Sequence, residues 1–238
     1  MPRRAAPEAL GTRFASGVGT MRRYSPTVLW SIAALSGAAF VVVSQEVSHR
    51  RTARRDRQVR DGLQKPRQKG GDAVAHATNP LGKEWFHMPA AAALSLYVAR
   101  KSRKHGNTLG AFAPMLASAA AEVSSRALDR LPPHVRPPAG HPKPHKPSFP
   151  SGHALETTAV AGASAYVLAR ENLVAGPAAF GAAAGLSLAS TLGRMYLDRH
   201  WASDAVAGIA LGLAIAAGCA GLYEAAASRA FDETVTDS

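Results

Sequence analysis

Six apolar segments, separated by polar stretches, constrain the fold of this chain more than any other feature. They lie at about residues 25–43, 85–99, 108–123, 154–169, 175–192 and 203–222. Several approach the roughly 20 apolar residues that a helix needs to cross a bilayer. The pattern predicts an all-α fold, a multi-pass transmembrane bundle of about six helices. A soluble helical bundle with an alanine-rich core is the alternative.

Small residues recur at four-residue spacing within the last two segments. Gly181 precedes Gly185, and Gly208 precedes Gly212, in each case with three residues between them. In lipid, such spacings let helix backbones approach closely, because no hydrophobic contrast drives the helices together. We therefore expect close helix contacts at both pairs.

Positive charge is concentrated in the first third of the chain. The net charge is +12, and arginine and lysine crowd between residues 50 and 69. We divide the chain into a basic region at 1–82, a helical membrane domain at 83–225 and a polar tail at 226–238. The basic region holds one membrane anchor helix at about 25–43 and a polar linker with no predicted structure. It lacks the interleaved aromatics or groove-reading helix of nucleic-acid binders, so we expect anionic lipid rather than nucleic acid as its partner.

Two loops carry most of the chemically interesting residues. Closely spaced prolines at 131–151 prevent a helix there, and the second loop runs from about 193 to 203. If the segments at 154–169 and 175–192 both cross the bilayer, both loops emerge on the same face. Their side chains are then expected to converge.

The first loop offers a phosphate site. It contains Arg136 and ends in Pro-Ser-Gly-His at 150–153, directly before an apolar helix. A helix N-terminus presents unpaired N–H groups and a positive dipole end to an anion. Gly152 allows the backbone to approach closely, so we expect Arg136, Ser151 and Gly152 to bind phosphate.

The second loop offers a nucleophile. Arg194 can fork onto two phosphate oxygens, and Asp204 follows His200 by four residues. On a helical turn the carboxylate can take the Nδ1–H of His200 and leave Nε2 as a lone-pair nucleophile. His153 on the opposite side would then protonate the departing oxygen.

This chemistry calls for no metal and no cofactor. His134, His141 and His145 might suggest zinc, but the prolines between the last two break the helix that the ligand spacing requires. The single cysteine, Cys219, lies in an apolar run and forms neither a disulfide framework nor a cysteine-based metal site.

At these residues the sequence resembles the superfamily of type 2 phosphatidic acid phosphatases and vanadium haloperoxidases. The family motifs are Lys-x6-Arg-Pro, Pro-Ser-Gly-His and Ser-Arg-x5-His-x3-Asp. Arg136-Pro137 matches the end of the first, residues 150–153 match all of the second, and Arg194, His200 and Asp204 match the third. The resemblance covers about residues 85–222. It implies a six-helix core, a phosphohistidine on His200 and a general acid at His153.

The sequence departs from the family pattern at two positions. Gly193 replaces the serine of the third motif, and Asp129 stands where the first motif has its lysine. Arg130 is the expected substitute for that lysine, with Lys146 as the second candidate.

The resemblance further implies the substrate and the location. We expect hydrolysis of a phosphomonoester or diphosphate of a lipid, either phosphatidate-like or isoprenyl-diphosphate-like, at the non-cytoplasmic face of the cell membrane. Two alternatives remain, a vanadate-dependent haloperoxidase and a membrane protein that binds phosphate without catalysis.

Overall fold

Helices make up nearly all of the described structure. The computed structural model describes residues 24–65, 70–102, 110–130, 136–137 and 147–236, with the backbone alone from 229 onward. The α-helices are α1 (Pro26–Ser48), α2 (Ala53–Gln64), α3 (Gly71–Ala77), α4 (Glu84–Ser102), α5 (Ala113–Leu128), α6 (Gly152–Arg170), α7 (Gly176–Tyr196) and α8 (Ala202–Thr236). Short 3-10 turns cover Asn79–Gly82 and Gly110–Phe112. No strand occurs in these ranges, which confirms the all-α prediction.

Six of these helices coincide with the predicted apolar segments, and local signals explain where several begin. Ser25 caps α1 through its hydroxyl, which accepts a hydrogen bond from the Val28 amide at 3.3 Å, and Pro26 occupies the first helical position. Serine before the helix and proline at its first turn are typical start signals. The predicted polar tail at 226–238 is helical as far as Thr236, because α8 continues beyond the last apolar segment. Its alanines favour helix continuation despite the surrounding polar residues.

The helices α6 and α8 pack at very short distance. A side-chain carbon at Gly212 would lie 2.6 Å from the Leu155 carbonyl oxygen, and one at Gly208 would meet the Ser151 carbonyl oxygen equally closely. Only glycine fits these two positions. The expected close contact at this pair is therefore found. At Gly181 and Gly185, in contrast, no described residue lies within 4 Å. The second expectation was wrong, because no helix of the described structure packs against that face of α7.

The outer surface of the bundle is strongly apolar. Leu35, Trp85 and Val123 are 72%, 64% and 68% exposed. Contiguous apolar surface of this kind marks an interface, here with lipid. Within the described residues, the segments Pro26–Ser48 and Ala202–Ser228 are long and apolar enough to cross a membrane.

The linker between α1 and α4 is structured, contrary to the expectation. It forms α2, α3 and the 3-10 turn, and these elements contact α7 and α8. Asp56 is buried and accepts hydrogen bonds from the Ser203 amide at 2.9 Å and hydroxyl at 2.8 Å. It thus caps the N-terminus of α8 from a distant part of the chain. The sequence of the linker has no hydrophobic periodicity, so these helices were not predicted. The reason is that α2 is held by polar contacts rather than by an apolar face.

Candidate active site

The two loops of the expected site are joined by main-chain and side-chain hydrogen bonds. The Ser151 amide donates to the Asp204 carbonyl oxygen at 3.0 Å, and His200 Nδ1 lies 2.8 Å from the Ser148 carbonyl oxygen. The start of α6 and the start of α8 are thereby fixed against each other. The predicted site residues from both loops consequently share one end of the bundle.

His200 lies in the turn between α7 and α8, with its imidazole buried. A carbonyl oxygen can only accept, so its contact with Ser148 assigns the proton to Nδ1 and the lone pair to Nε2. Burial lowers the pKa of His200 to about 3, and the charge of Arg136 acts in the same direction, while Asp204 opposes them. The imidazole is therefore neutral at physiological pH, as a nucleophile must be.

Asp204 contributes to this geometry in a different way than expected. Its Oδ2 lies 3.8 Å from His200 Nδ1, which is beyond hydrogen-bond distance. The same oxygen accepts from the Trp201 amide at 2.8 Å, so the fully buried carboxylate holds the backbone of the turn. The acceptor for the Nδ1 proton is the Ser148 carbonyl oxygen instead. Sequence could not reveal it, since every residue carries a backbone carbonyl.

The first turn of α6 carries the Pro-Ser-Gly-His residues. Ser151 is the cap of the helix, and its hydroxyl accepts from the Ala154 amide at 3.4 Å. Gly152 is the first helical residue, and a side-chain carbon there would lie 3.0 Å from the Ser125 hydroxyl. The helix N-terminus therefore has its N–H groups and its dipole at the site, as a phosphate requires.

His153 and Arg194 meet at a residue that the sequence did not identify. The Oδ1 atom of Asn79 lies 3.2 Å from His153 Nε2 and 2.6 Å from Arg194 Nη1. One amide oxygen thus accepts hydrogen bonds from both side chains. Asn79 precedes Arg194 by 115 residues and lies in a segment with no recognisable motif.

Positive charge accumulates around this point. Arg136 donates to the carbonyl oxygens of Arg199 at 2.7 Å and Pro147 at 2.9 Å. Burial, together with the neighbouring charges of Arg199 and Arg136, lowers the pKa of Arg194 to about 10. Within the described residues, Arg194 Nε is buried without a hydrogen-bond partner. A cluster of guanidinium groups with a free donor is suited to bind an anion.

Burial also lowers the pKa of His153 to about 3, with the charges of Arg194 and Lys83 as the next causes. Lys83 thus lies close enough to act on the imidazole. It directly follows Gly82, where a side-chain carbon would lie 2.6 Å from the His153 Cα atom. The 3-10 turn at 79–82 is consequently packed against the first turn of α6.

The same region explains why glycine replaces serine at position 193. A side-chain carbon there would overlap the Thr78 hydroxyl and lie 3.1 Å from the Ala75 carbonyl oxygen. The end of α3 therefore occupies the space that a serine side chain would need. The Thr78 hydroxyl stands in that place.

The structure describes one of the two residues that were expected to supply the third cation. Arg130 is exposed in the turn after α5, and its role stays a prediction. Lys146 and the histidines at 134, 141 and 145 fall outside the described residues. Asp129 contributes through its charge, which opposes the effect of burial on the pKa of Arg136.

Comparison with known proteins agrees with this arrangement. Residues 107–227 match the family model described as the PAP2 superfamily. The fold is similar to the "crystal structure of the first transmembrane PAP2 type phosphatidylglycerolphosphate phosphatase from Bacillus subtilis". The TM-score is 0.64 and the identity 20%, over 90% of this chain and 98% of that chain. No curated protein sequence matches the chain.

Proposed function

Because the chain belongs to the PAP2 superfamily, we propose that it is a membrane phosphatase that hydrolyses the phosphomonoester or diphosphate of a lipid through a phosphohistidine on His200. The family assignment confirms the resemblance that was drawn from the sequence motifs. It also confirms the enzyme class, a phosphoric monoester hydrolase. The phosphohistidine and the substrate are the parts that we propose. The observation that carries them is the neutral, buried imidazole of His200, whose Nδ1 proton is bound by Ser148 and whose Nε2 is left as the nucleophile.

The reaction proceeds in two displacements. In the first, His200 Nε2 attacks phosphorus while the bond from phosphorus to the lipid oxygen breaks, and His153 gives its proton to that oxygen. In the second, His153 takes a proton from water, the water oxygen attacks phosphorus, and the phosphorus–nitrogen bond breaks to release phosphate. The guanidinium groups of Arg136 and Arg194 and the amides at the start of α6 stabilise the equatorial oxygens.

His153 must carry a proton for the first displacement, although the surrounding cations and burial lower its pKa. A phosphate ester brings up to two negative charges beside the imidazole. These charges raise the pKa of His153 in the complex by neutralising Arg194 and Lys83. Protonation of the acid is thereby coupled to substrate binding.

Asn79 serves as a positioning residue in this scheme. Its amide oxygen directs an N–H of His153 and an N–H of Arg194 to one point. The Nε of Arg194, unpaired among the described residues, is left to donate to an oxygen of the bound phosphate ester. Side chains held in advance in this way need no reorganisation when the substrate arrives.

An apolar cavity of about 590 Å³ supports a lipid substrate. It lies between α1, α6, α7 and α8, and Ile32, Phe180 and Leu213 are among its lining residues. Thr158, also in the lining, follows His153 by five residues, which is about 7.5 Å along a helix. A hydrocarbon chain can therefore occupy the cavity while its phosphate reaches the catalytic histidines.

Membrane location follows from the apolar helices, and we propose that α1, α4, α5, α6, α7 and α8 all cross the bilayer. This number of crossings places the linker at 49–83 on the same face as both catalytic loops, in agreement with the contacts of Asn79. We propose the non-cytoplasmic face. Labelling of an Arg130→Cys variant in intact cells by an impermeant maleimide tests this, because the native Cys219 is buried.

Phosphate release by purified protein on a panel of lipid phosphates tests the function. His200→Ala should abolish release from every active substrate, since no neighbouring group replaces the nucleophile. His76→Ala, which removes an exposed histidine of α3, is the matched control and should behave as wild type. Turnover by His200→Ala at the wild-type rate would exclude the phosphohistidine.

A further inference from the structure

A second polar cluster lies one helical turn deeper than the catalytic histidine of α6. It consists of His87 on α4, Glu122 on α5 and Glu156 on α6, and their ligand atoms all lie within 4.8 Å of one another. His87 and Glu156 are only 3% and 7% exposed. None of the three takes part in the proposed reaction.

The imidazole of His87 faces the cluster with an unpaired nitrogen. Its Nδ1 lies 2.9 Å from the Ser118 hydroxyl. Its Nε2 is buried and has no hydrogen-bond partner among the described residues. Nε2 lies 3.5 Å from Glu156 Oε2, which is longer than a normal N–H···O hydrogen bond. It is close to the separation of about 3.4 Å between two ligands that each lie about 2.1 Å from a tetrahedral zinc ion.

The charges around the cluster leave one carboxylate poorly compensated. Arg126 Nε donates to Glu122 at 2.6 Å, and its Nη2 also binds Glu84 at 2.9 Å. Glu156, in contrast, is paired among the described residues with His87. A buried carboxylate is normally paired with a cation or coordinates a metal.

We propose that His87, Glu122 and Glu156 bind one divalent metal ion, with zinc as the best fit. An imidazole nitrogen and two carboxylate oxygens are a common zinc ligand set, and a water molecule would complete the tetrahedron. Ser118 would orient the imidazole through Nδ1, as groups behind a histidine ligand commonly do. The ion would join α4, α5 and α6 below His153. Its role is structural, because the ligands are separate from the reacting atoms.

Metal content and thermal stability test the proposal on the full-length protein in detergent. Protein dialysed with zinc and then freed of excess zinc should retain about one zinc ion per chain by mass spectrometry. Its melting temperature should lie several degrees above that of EDTA-treated protein. Turnover well below the melting temperature should be the same for both samples. Zinc content and melting temperature therefore test the metal site, whereas turnover tests the phosphatase assignment independently.

Isosteric variants locate the ion. Glu156→Gln and His87→Gln should lose the retained zinc and the increase in melting temperature, whereas His76→Gln on exposed α3 should keep both. The wild-type measurements alone decide the proposal if a cluster variant fails to fold. Retention of no zinc, manganese or cobalt by wild type, with no metal-dependent change in melting temperature, would overturn it. Equal retention by Glu156→Gln would also overturn it.

Discussion

Arg60→Ala should slow turnover although Arg60 belongs to none of the catalytic motifs. Its guanidinium binds the Asp198 carboxylate through Nε at 2.9 Å and Nη2 at 2.8 Å. Asp198 lies two residues before His200 and has a φ of 53°, a conformation that costs energy for a residue other than glycine. Arg60 thus holds the turn that presents the nucleophile.

The magnitude follows from burial. Breaking a buried ion pair by removing one partner costs about 3–5 kcal/mol. The side chain of Asp198 is 5% exposed but that of Arg60 is 25% exposed, so solvent screening reduces the expected cost to about 2–3 kcal/mol. Gln64 retains one contact with the carboxylate at 3.2 Å, which favours the lower value. If this cost appears in full as a displacement of the turn that carries His200, kcat falls by about 30-fold to 160-fold.

The assay is kcat and KM on a short-chain soluble substrate, together with the melting temperature. Arg57→Ala is the matched control, since it removes an exposed arginine from the same helix. The Asp198→Asn variant removes the charge of the partner, and asparagine tolerates the positive φ at this position. Because the two residues interact, the double variant with Arg60→Ala should lose less activity than the sum of the two single losses. Equal rates for Arg60→Ala and Arg57→Ala would refute the reasoning.

Three further variants test the site. Asn79→Ala should lower kcat by about ten- to a hundredfold with little change in KM, because hydrogen bonds to charged groups contribute about 1.5–3 kcal/mol. A lower KM with unchanged kcat would contradict the positioning role of Asn79. Lys83→Ala should lower kcat by about a hundredfold, the typical effect of one charge contact, and more than Arg130→Ala; the reverse order would favour Arg130 as the third cation. The pKa of His200 is about 3 in the folded protein and about 6.5 in the unfolded chain. The neutral imidazole therefore stabilises the folded state above pH 6.5, and this stabilisation is lost as the pH falls. By pH 5 the loss is about 2 kcal/mol, and thermal melts of His200→Gln should show a smaller decrease in melting temperature over this range than wild type.

The helices that form the bundle and the motifs at 150–153 and 194–204 could be predicted from sequence, because both depend on local order. Apolar runs of sufficient length specify helices in lipid, and His200 and Asp204 are four residues apart on one turn. The acceptor for His200 could not be predicted, since the Ser148 carbonyl oxygen leaves no trace in side-chain identity. The contacts of Asn79 and Arg60 were also hidden, because they join polar segments more than seventy residues apart.

Contacts of the linker with the catalytic loops explain the glycine at position 193. They also bear on the second departure from the family pattern, the missing lysine of the first motif. Position 193 carries glycine because the Thr78 hydroxyl and the Ala75 carbonyl oxygen fill the space of a serine side chain. A polar group from the linker thereby replaces one from α7. Lys83, whose charge acts on His153, comes from the end of the same linker, and we expect it to supply the cation that the first motif lacks. Asn79 and Arg60 lie before the matched residues 107–227, so the contacts between the linker and the two catalytic loops extend beyond the family match. Loss of the linker contacts should therefore affect catalysis before it affects membrane insertion.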